Sequence, residues 1–200
     1  MKNLTEKEKM FKGIWYDANN DDEILKERSI ADILCFEFNQ TNPLQKEKQE
    51  EIITKLFPNI GKNITILQPV YTDYGYNTFI GDNSFINHNV YFMDGGKITI
   101  GKFAFIGPNC GFYTATHAIL PEERNQGLEK AKPITIGDNV WIGGHVSILP
   151  GISIGDNSII GAGSVVTSDI PSNVIAVGNP CKVLREINES DKIIKSDVNL

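Results

Sequence analysis

The stretch KPITIGDNVWIGGHVSILPGISIGDNSIIGAGSVVTSDIP, residues 132–171, places Ile136, Ile142, Ile148, Ile154, Ile160 and Val166 at intervals of six. Self-similarity at a fixed period points to a stacked repeat rather than to separate strands and helices. Upstream the same interval links Ile60 with Ile66, then Ile80, Ile86 and Phe92, then Ile100, Ile106 and Phe112. The segments IGKN, IGDN and IGPN that follow many of these residues supply Gly, Asn and Asp where a short strand must turn sharply. Glycine has no Cβ to oppose a positive φ, and Asn and Asp tolerate it better than branched residues. Six residues per side and three sides per coil describe a triangular parallel β-helix with coils at the ~4.8 Å spacing of any sheet. Each inward Ile then meets its counterparts above and below, and its burial contributes roughly 1.5–3 kcal/mol.

The repeat is interrupted twice. Two extra residues around Asp94, Gly95 and Gly96 separate Phe92 from Ile100. A charged stretch, AILPEERNQGLEKAKP at 118–133, lacks the apolar register, yet Phe112 to Ile136 is 24 residues, four full steps. The chain therefore leaves the coil and returns in phase. Loops of that length are commonly functional, so this one is expected to wall a binding site.

Residues 1–58 read as a helical segment: a short helix near 5–12, one over 22–38 with Leu25, Ile33, Leu34 and Phe36 buried, and one opened by Asn42 or Thr41 and Pro43. Ile52, Ile53, Leu56 and Phe57 form the apolar stripe of the last, and Pro58 stops it. The expected organisation is 1–58 helical, 59–180 β-helix, and 181–200 a C-terminal helix and tail.

The 200 residues are 40% hydrophobic and 22% charged, enough for one folded unit. A formal charge of -6 argues against sequence-independent nucleic-acid binding, which needs many cations. Cys35, Cys110 and Cys181 are odd in number and match no metal or redox spacing, so they read as reduced, buried thiols. No signal peptide or membrane span is recognisable, and a cytoplasmic location is expected.

The segments GIWYD, CFEFNQTNP, PVYTDYGYN, FIGDNSFINHNVYFMD, TATHAIL, the long repeat stretch quoted first, and VGNPCKVLREI together resemble the maltose and galactoside O-acetyltransferases, hexapeptide-repeat acyltransferases. The resemblance spans nearly the whole chain. It implies a mainly β fold, a left-handed parallel β-helix with an N-terminal helical segment and a short C-terminal helix. It further implies a homotrimer with active sites between subunits, acetyl-CoA as co-substrate, a sugar acceptor and no metal.

Acetyl transfer from a thioester to a hydroxyl needs a base for the alcohol proton, and a histidine can take it at neutral pH. His117, beside the excursion, matches the family's catalytic histidine; Glu129, by side chain or carbonyl, is its candidate orienting partner, and Asn87 a candidate contact to the acceptor or the reacting centre. Asp17, Arg28, Asp73 and Asn87 are the acceptor-binding candidates, with Tyr16, Tyr71 and Tyr74 as stacking surfaces. Asp17 with Arg28 alternatively forms an ion pair, and Asn87 alternatively is a corner residue of left-handed conformation. Gly95 stands where some relatives carry an acid.

For CoA, Trp141, Gly144, Ala162 and Thr167 fall at matching positions, and Ser168 occupies a position where lysine is frequent in relatives. Lys182 and Arg185, three apart, would share one side of a helix and suit the 3′-phosphate. No cysteine or serine has a visible activating partner, which favours direct transfer in a ternary complex. The alternatives are an antibiotic O-acetyltransferase of the same fold and, because His88, His117 and His145 are three histidines, a zinc carbonic anhydrase of the γ type.

Overall fold

The computed structural model describes residues 4–193. Three parallel sheets wind into a triangular solenoid. The first face stacks Asn59–Ile60, Thr78–Ile80, Ile98–Ile100, Ile134–Ile136 and Ser153–Ile154. The second runs from Thr65–Ile66 through Phe85–Ile86, Phe105–Ile106, Trp141–Ile142 and Ile159–Ile160 to Val174–Val177. The third stacks Val70–Thr72, Val90–Met93, Gly111–Tyr113, Ser147–Ile148 and Val165–Val166.

The residues at steps of six fall into three inward columns, one per face. Ile80, Ile100, Ile136 and Ile154 make the first, Ile86, Ile106, Ile142 and Ile160 the second, and Phe92, Phe112, Ile148 and Val166 the third, all buried. Phe92 stacks on Phe112 with centroids 5.2 Å apart. Ile60 and Ile66, in the first coil, are only half-buried.

The corners separate the two roles given to Gly and Asn. Asn63, Asn83, Asn109, Asn139 and Asn157 carry the positive φ, between 56° and 61°. Their amides stack between coils, as in Asn139 to Asn157 at 3.0 Å. The glycine after each inward Ile instead allows close approach: a Cβ on Gly107 would lie 2.6 Å from the backbone of Gly143 and Gly144.

The N-terminal residues close one end of the solenoid. Helix α1 spans Glu6–Phe11, α2 Asp22–Gln40 and α3 Lys46–Leu56. Helix α3 starts later than expected because Asn42 accepts from the Leu44 amide and Pro43 lies in that turn. Phe57 packs edge-on against Phe92 at 5.8 Å, and Asn39 bonds both backbone groups of Val70, at 2.9 and 3.0 Å, satisfying an otherwise open sheet edge. The buried side of α2 is Ile24, Ala31, Cys35 and Phe38, while Leu25, Ile33 and Phe36, expected inside, are exposed and Leu34 is half-buried. All three cysteines are free and buried.

The C-terminal helix is corrected. Lys182–Glu186 is a strand that pairs antiparallel with Val174–Val177, followed by a 3-10 turn at Glu189–Asp191. The exposed edge of the last coil offers a ladder, and a strand satisfies it where a helix would not. Residues 194–200 of the expected helix and tail lie outside the described residues.

Candidate active site

The excursion is a hairpin standing off the solenoid. It begins earlier than expected, because Ala115–His117 already pairs with the returning strand Leu128–Ala131, and helix α4, Pro121–Arg124, lies at its tip. Tyr16–Asp17 from the N-terminal segment adds a third antiparallel strand on the other side of Leu128–Ala131. His117 is thereby placed at the end of a strand whose position depends on two distant parts of the chain.

Beside it opens a cleft of ≈ 480 Å³ lined by His117, Glu129, Arg28, Asp32, Asp73, Tyr91, Met93, Tyr113 and Ala115. The Nδ1 of His117 lies 3.2 Å from the carbonyl oxygen of Leu128. A carbonyl only accepts, so Nδ1 carries the proton and Nε2 is left as the basic nitrogen. The group that meets Nδ1 is thus the carbonyl of Leu128, one residue before the candidate Glu129. In the antiparallel register His117 faces Glu129, and the ring reaches the neighbouring carbonyl.

Glu129 does line the cleft, but its carboxylate accepts a hydrogen bond from the hydroxyl of Tyr16. Asp73 accepts one from Tyr91. Burial pushes the Asp73 carboxyl above its ordinary range, and the bond from Tyr91 and the nearby Arg28 work against that rise. Arg28 donates from Nη2 to the carbonyl of Ala18 at 3.0 Å and to Tyr74 at 3.3 Å. Of the acceptor candidates, then, Arg28 and Asp73 share the cleft with His117.

Asp17 does not line it. Its carboxylate accepts from the amides of Asn19 and Asn20 at 3.1 and 3.0 Å, forming a local turn, and among the described residues it makes no ion pair with Arg28. Asn87 directly follows the second-face strand Phe85–Ile86, at the turn toward the third face, and its Oδ1 accepts from the His88 amide at 2.8 Å; the left-handed corner belongs to Asn89. Tyr16 and Tyr74 are buried and offer no stacking surface. Tyr71 is exposed on the third face beside Tyr91 but outside the cleft. The aromatic walls are Tyr91 and Tyr113, whose rings meet edge-on at 6.2 Å. Both flank inward residues, Phe92 and Phe112, so alternation along the third face was the signal that could have found them.

The two extra residues after Phe92 form a turn around Asp94. This carboxylate, wholly buried, accepts from Thr72 Oγ1 at 2.9 Å, the Tyr74 amide at 2.8 Å and Thr78 Oγ1 at 3.0 Å. Burial pushes it up to about 6 against those bonds.

The cofactor candidates lie elsewhere on the coil. Trp141 is exposed in an outward row on the second face whose successive members are Phe105, Trp141, Ile159, Ile175 and Arg185. Gly144 and Ala162 occupy stacked corners, with the Gly163 amide donating to the Gly144 carbonyl at 2.9 Å, and Thr167 and Ser168 lie one side further along. Lys182 and Arg185 share one side of the sheet although their segment is a strand. A bulge leaves Leu184 unpaired, so they face the outward residues Val177 and Ile175. Arg185 is held by Asp191 at 2.6 and 2.8 Å. Among the described residues no group of three or more His, Cys, Asp or Glu could hold a metal ion within the chain; His88 meets the Gln68 carbonyl and His145 meets Asn109.

A family profile described as the maltose acetyltransferase hexapeptide capping motif matches residues 9–61, and one for the bacterial transferase hexapeptide matches residues 133–168. A Staphylococcus aureus (strain MRSA252) protein provisionally named an acetyltransferase is 57% identical over 185 residues, 92% of this chain and 93% of its own. A maltose O-acetyltransferase from Clostridium difficile 630 superposes with a TM-score of 0.91 at 50% identity, over 94% of this chain and 100% of that one. A galactoside acetyltransferase solved in complex with coenzyme A gives 0.92 at 42% identity, over 96% of each chain. With its solenoid, its capping helices and its sequence matched over nearly their full length, the chain belongs to the hexapeptide-repeat acetyltransferases of the maltose and galactoside type.

Proposed function

We propose that the protein transfers the acetyl group of acetyl-CoA to a hydroxyl of a sugar, in a direct reaction within a ternary complex. The observation that carries this reading is the bond from His117 Nδ1 to the Leu128 carbonyl, which leaves Nε2 as the base beside a cleft of hydrogen-bonding side chains. Nε2 takes the hydroxyl proton as the oxygen attacks the thioester carbonyl. The C–S bond of the tetrahedral intermediate then breaks, and the CoA thiolate leaves with the proton from the imidazolium. The products are the acetyl sugar and free CoA thiol.

A sugar suits the cleft. Asp73, Glu129 and Arg28 supply acceptors and donors for hydroxyls, and Tyr91 and Tyr113 supply ring faces. Direct transfer is supported by the thiols: burial pushes Cys35 up to about 11 and also raises Cys110, so neither is a ready thiolate nucleophile.

Acetyl-CoA would lie along the second face, with the apolar row Trp141, Ile159 and Ile175 under the pantetheine arm and Lys182 and Arg185 near the phosphates. Asn87 sits at the edge of that face, next to Ile86, and not in the cleft of its own chain. A homotrimer, with the second face of one subunit beside the hairpin of the next, would let Asn87 and the cofactor meet a neighbour's His117. No described helix is long and apolar enough to cross a membrane.

The test is free-thiol release from acetyl-CoA with a panel of sugars and with chloramphenicol, run on wild type and His117→Ala. Sugar-dependent release that the variant loses supports the reading. Release only with chloramphenicol would replace the acceptor, and release unchanged in the variant would remove His117 as base.

A further inference from the structure

Tyr16, Glu129 and His117 stand in one row across three antiparallel strands: Tyr16 is the Cα partner of Glu129, and Glu129 of His117. Paired residues project from the same side of a sheet, so the three side chains are neighbours although Tyr16 comes from the N-terminal segment and the other two from the excursion hairpin. Tyr16 is wholly buried, and its hydroxyl donates to Glu129 Oε1. Its backbone is tied as well, since the next amide, Asp17 N, donates to Glu6 of α1 at 2.6 Å.

The slot for this bond is shaped from below. A Cβ on Gly95 would lie 3.0 Å from the Tyr16 hydroxyl and 3.4 Å from Glu129 Oε1. The backbone there has little room to retreat, because the adjacent Asp94 is fixed by Thr72, Tyr74 and Thr78. A buried phenol whose single donor is aimed at a carboxylate of the cleft costs desolvation that mere packing by Phe would avoid. Its position beside the strand that orients His117 gives it a use.

We propose that Tyr16 is a positioning residue for acetyl transfer: its hydroxyl fixes the Glu129 carboxylate, and with it the strand whose Leu128 carbonyl holds His117 Nδ1–H. The N-terminal segment is then part of the catalytic apparatus as well as a cap on the solenoid. The inference rests on the acetyl-transfer reading above. Across the cleft, Glu129 and His117 face Arg28 and Asp32 from α2 and Asp73, Tyr91 and Tyr113 from the third face, with Tyr74 behind Arg28. Without the phenol, the Glu129 carboxylate loses its donor on the same side as His117 and is free to stabilise the imidazolium.

The experiment compares wild type, Tyr16→Phe, Glu129→Ala and the double variant by thiol release, across pH, with thermal unfolding alongside. Tyr16→Phe is expected to lower kcat about 10–100-fold, the range for groups that orient a catalytic ligand from behind. KM for acetyl-CoA stays unchanged, and the rising limb of kcat/KM moves to higher pH. The double variant is expected to be no worse than the poorer single one, as for two residues acting through one bond. Gly95→Ala, which keeps both side chains and only intrudes on the slot, carries the same expectation if Tyr16→Phe does not fold. Wild-type kcat and pH profile in a folded Tyr16→Phe or Gly95→Ala, or losses that multiply in the double variant, would overturn the proposal and leave acetyl transfer standing. No release by wild type with any acceptor would take both down.

Discussion

His117 Nδ1 is 3.2 Å from the carbonyl oxygen of Leu128 across the excursion hairpin. The ring is exposed, and this bond is its one anchor among the described residues, so its loss bears on chemistry far more than on folding. His117→Ala is expected to lower turnover by roughly 10²–10⁴, the usual contribution of a general base. Thermal unfolding, measured in parallel, should stay close to wild type.

The third column depends on its aromatic pair. Phe92 is fully buried, stacks on Phe112 and receives Phe57 from the helical cap, so it joins the solenoid to its cap. Phe92→Ala should cost about 3–5 kcal/mol, as for other buried phenylalanines. Urea unfolding would measure it, and a loss below about 1 kcal/mol would mean that the cap closes over the gap.

The corner glycines can be tested where φ is ordinary. Gly107 has no positive φ, yet an added Cβ would lie 2.6 Å from the next coil's backbone. Gly107→Ala should therefore destabilise by about 1–3 kcal/mol through forced separation of the coils. A neutral result in chemical denaturation would show that the coils part without cost.

Asp94 makes stability depend on pH. Its folded value is pushed up to about 6 from an ordinary 3.8, so the folded protein binds this proton more tightly than the unfolded chain. The stabilising contribution is full below the unfolded value and is lost as pH rises through about 6, by up to about 3 kcal/mol at 1.36 kcal/mol per unit. Carbon-detected NMR of the Asp94 carboxyl should show a midpoint well above that of an exposed aspartate; an ordinary midpoint would mean that the three hydrogen bonds outweigh burial.

Lys182 and Arg185 can be separated from general charge by the ligand. Lys182→Ala should raise KM for acetyl-CoA and leave KM for the 3′-dephospho form unchanged. Arg185→Ala should act less, because Asp191 already holds that guanidinium. Equal effects on both co-substrates would remove the phosphate contact from these residues.

The period of six determined the solenoid. An inward residue every sixth position, with Asn at the turn, can be buried in register in few ways, and Asn139, Asn157 and their counterparts take the positive φ that the pattern requires. The helical cap was legible in the Ile52, Ile53, Leu56 and Phe57 stripe. The side of α2 that turns inward was not: its apolar residues lie all round the helix, and the solenoid's open end selects Ala31, Cys35 and Phe38 over Ile33 and Phe36.

His117 and Glu129 were visible as reactive or charged residues at a broken repeat, and Arg28 and Asp73 only through the family resemblance of their segments, but the meeting of the four was decided by tertiary structure. Tyr91 and Tyr113 are ordinary outward strand residues in the sequence, and become walls because the hairpin stands over that face. Asp17 has the right chemistry, yet local backbone amides claim its carboxylate, and Asn87, whose Oδ1 accepts from the His88 amide, lies outside the cleft of its own chain. The tail reads as a helix carrying a basic pair, and it becomes a bulged strand because the last coil presents an unpaired edge. Local periodicity thus sufficed for the coil, whose contacts repeat at fixed separations. The cleft joins residues from 28 to 129, and the strand pairings that set Tyr16, Glu129 and His117 in one row behind it are encoded by no local pattern and formed only in the folded chain.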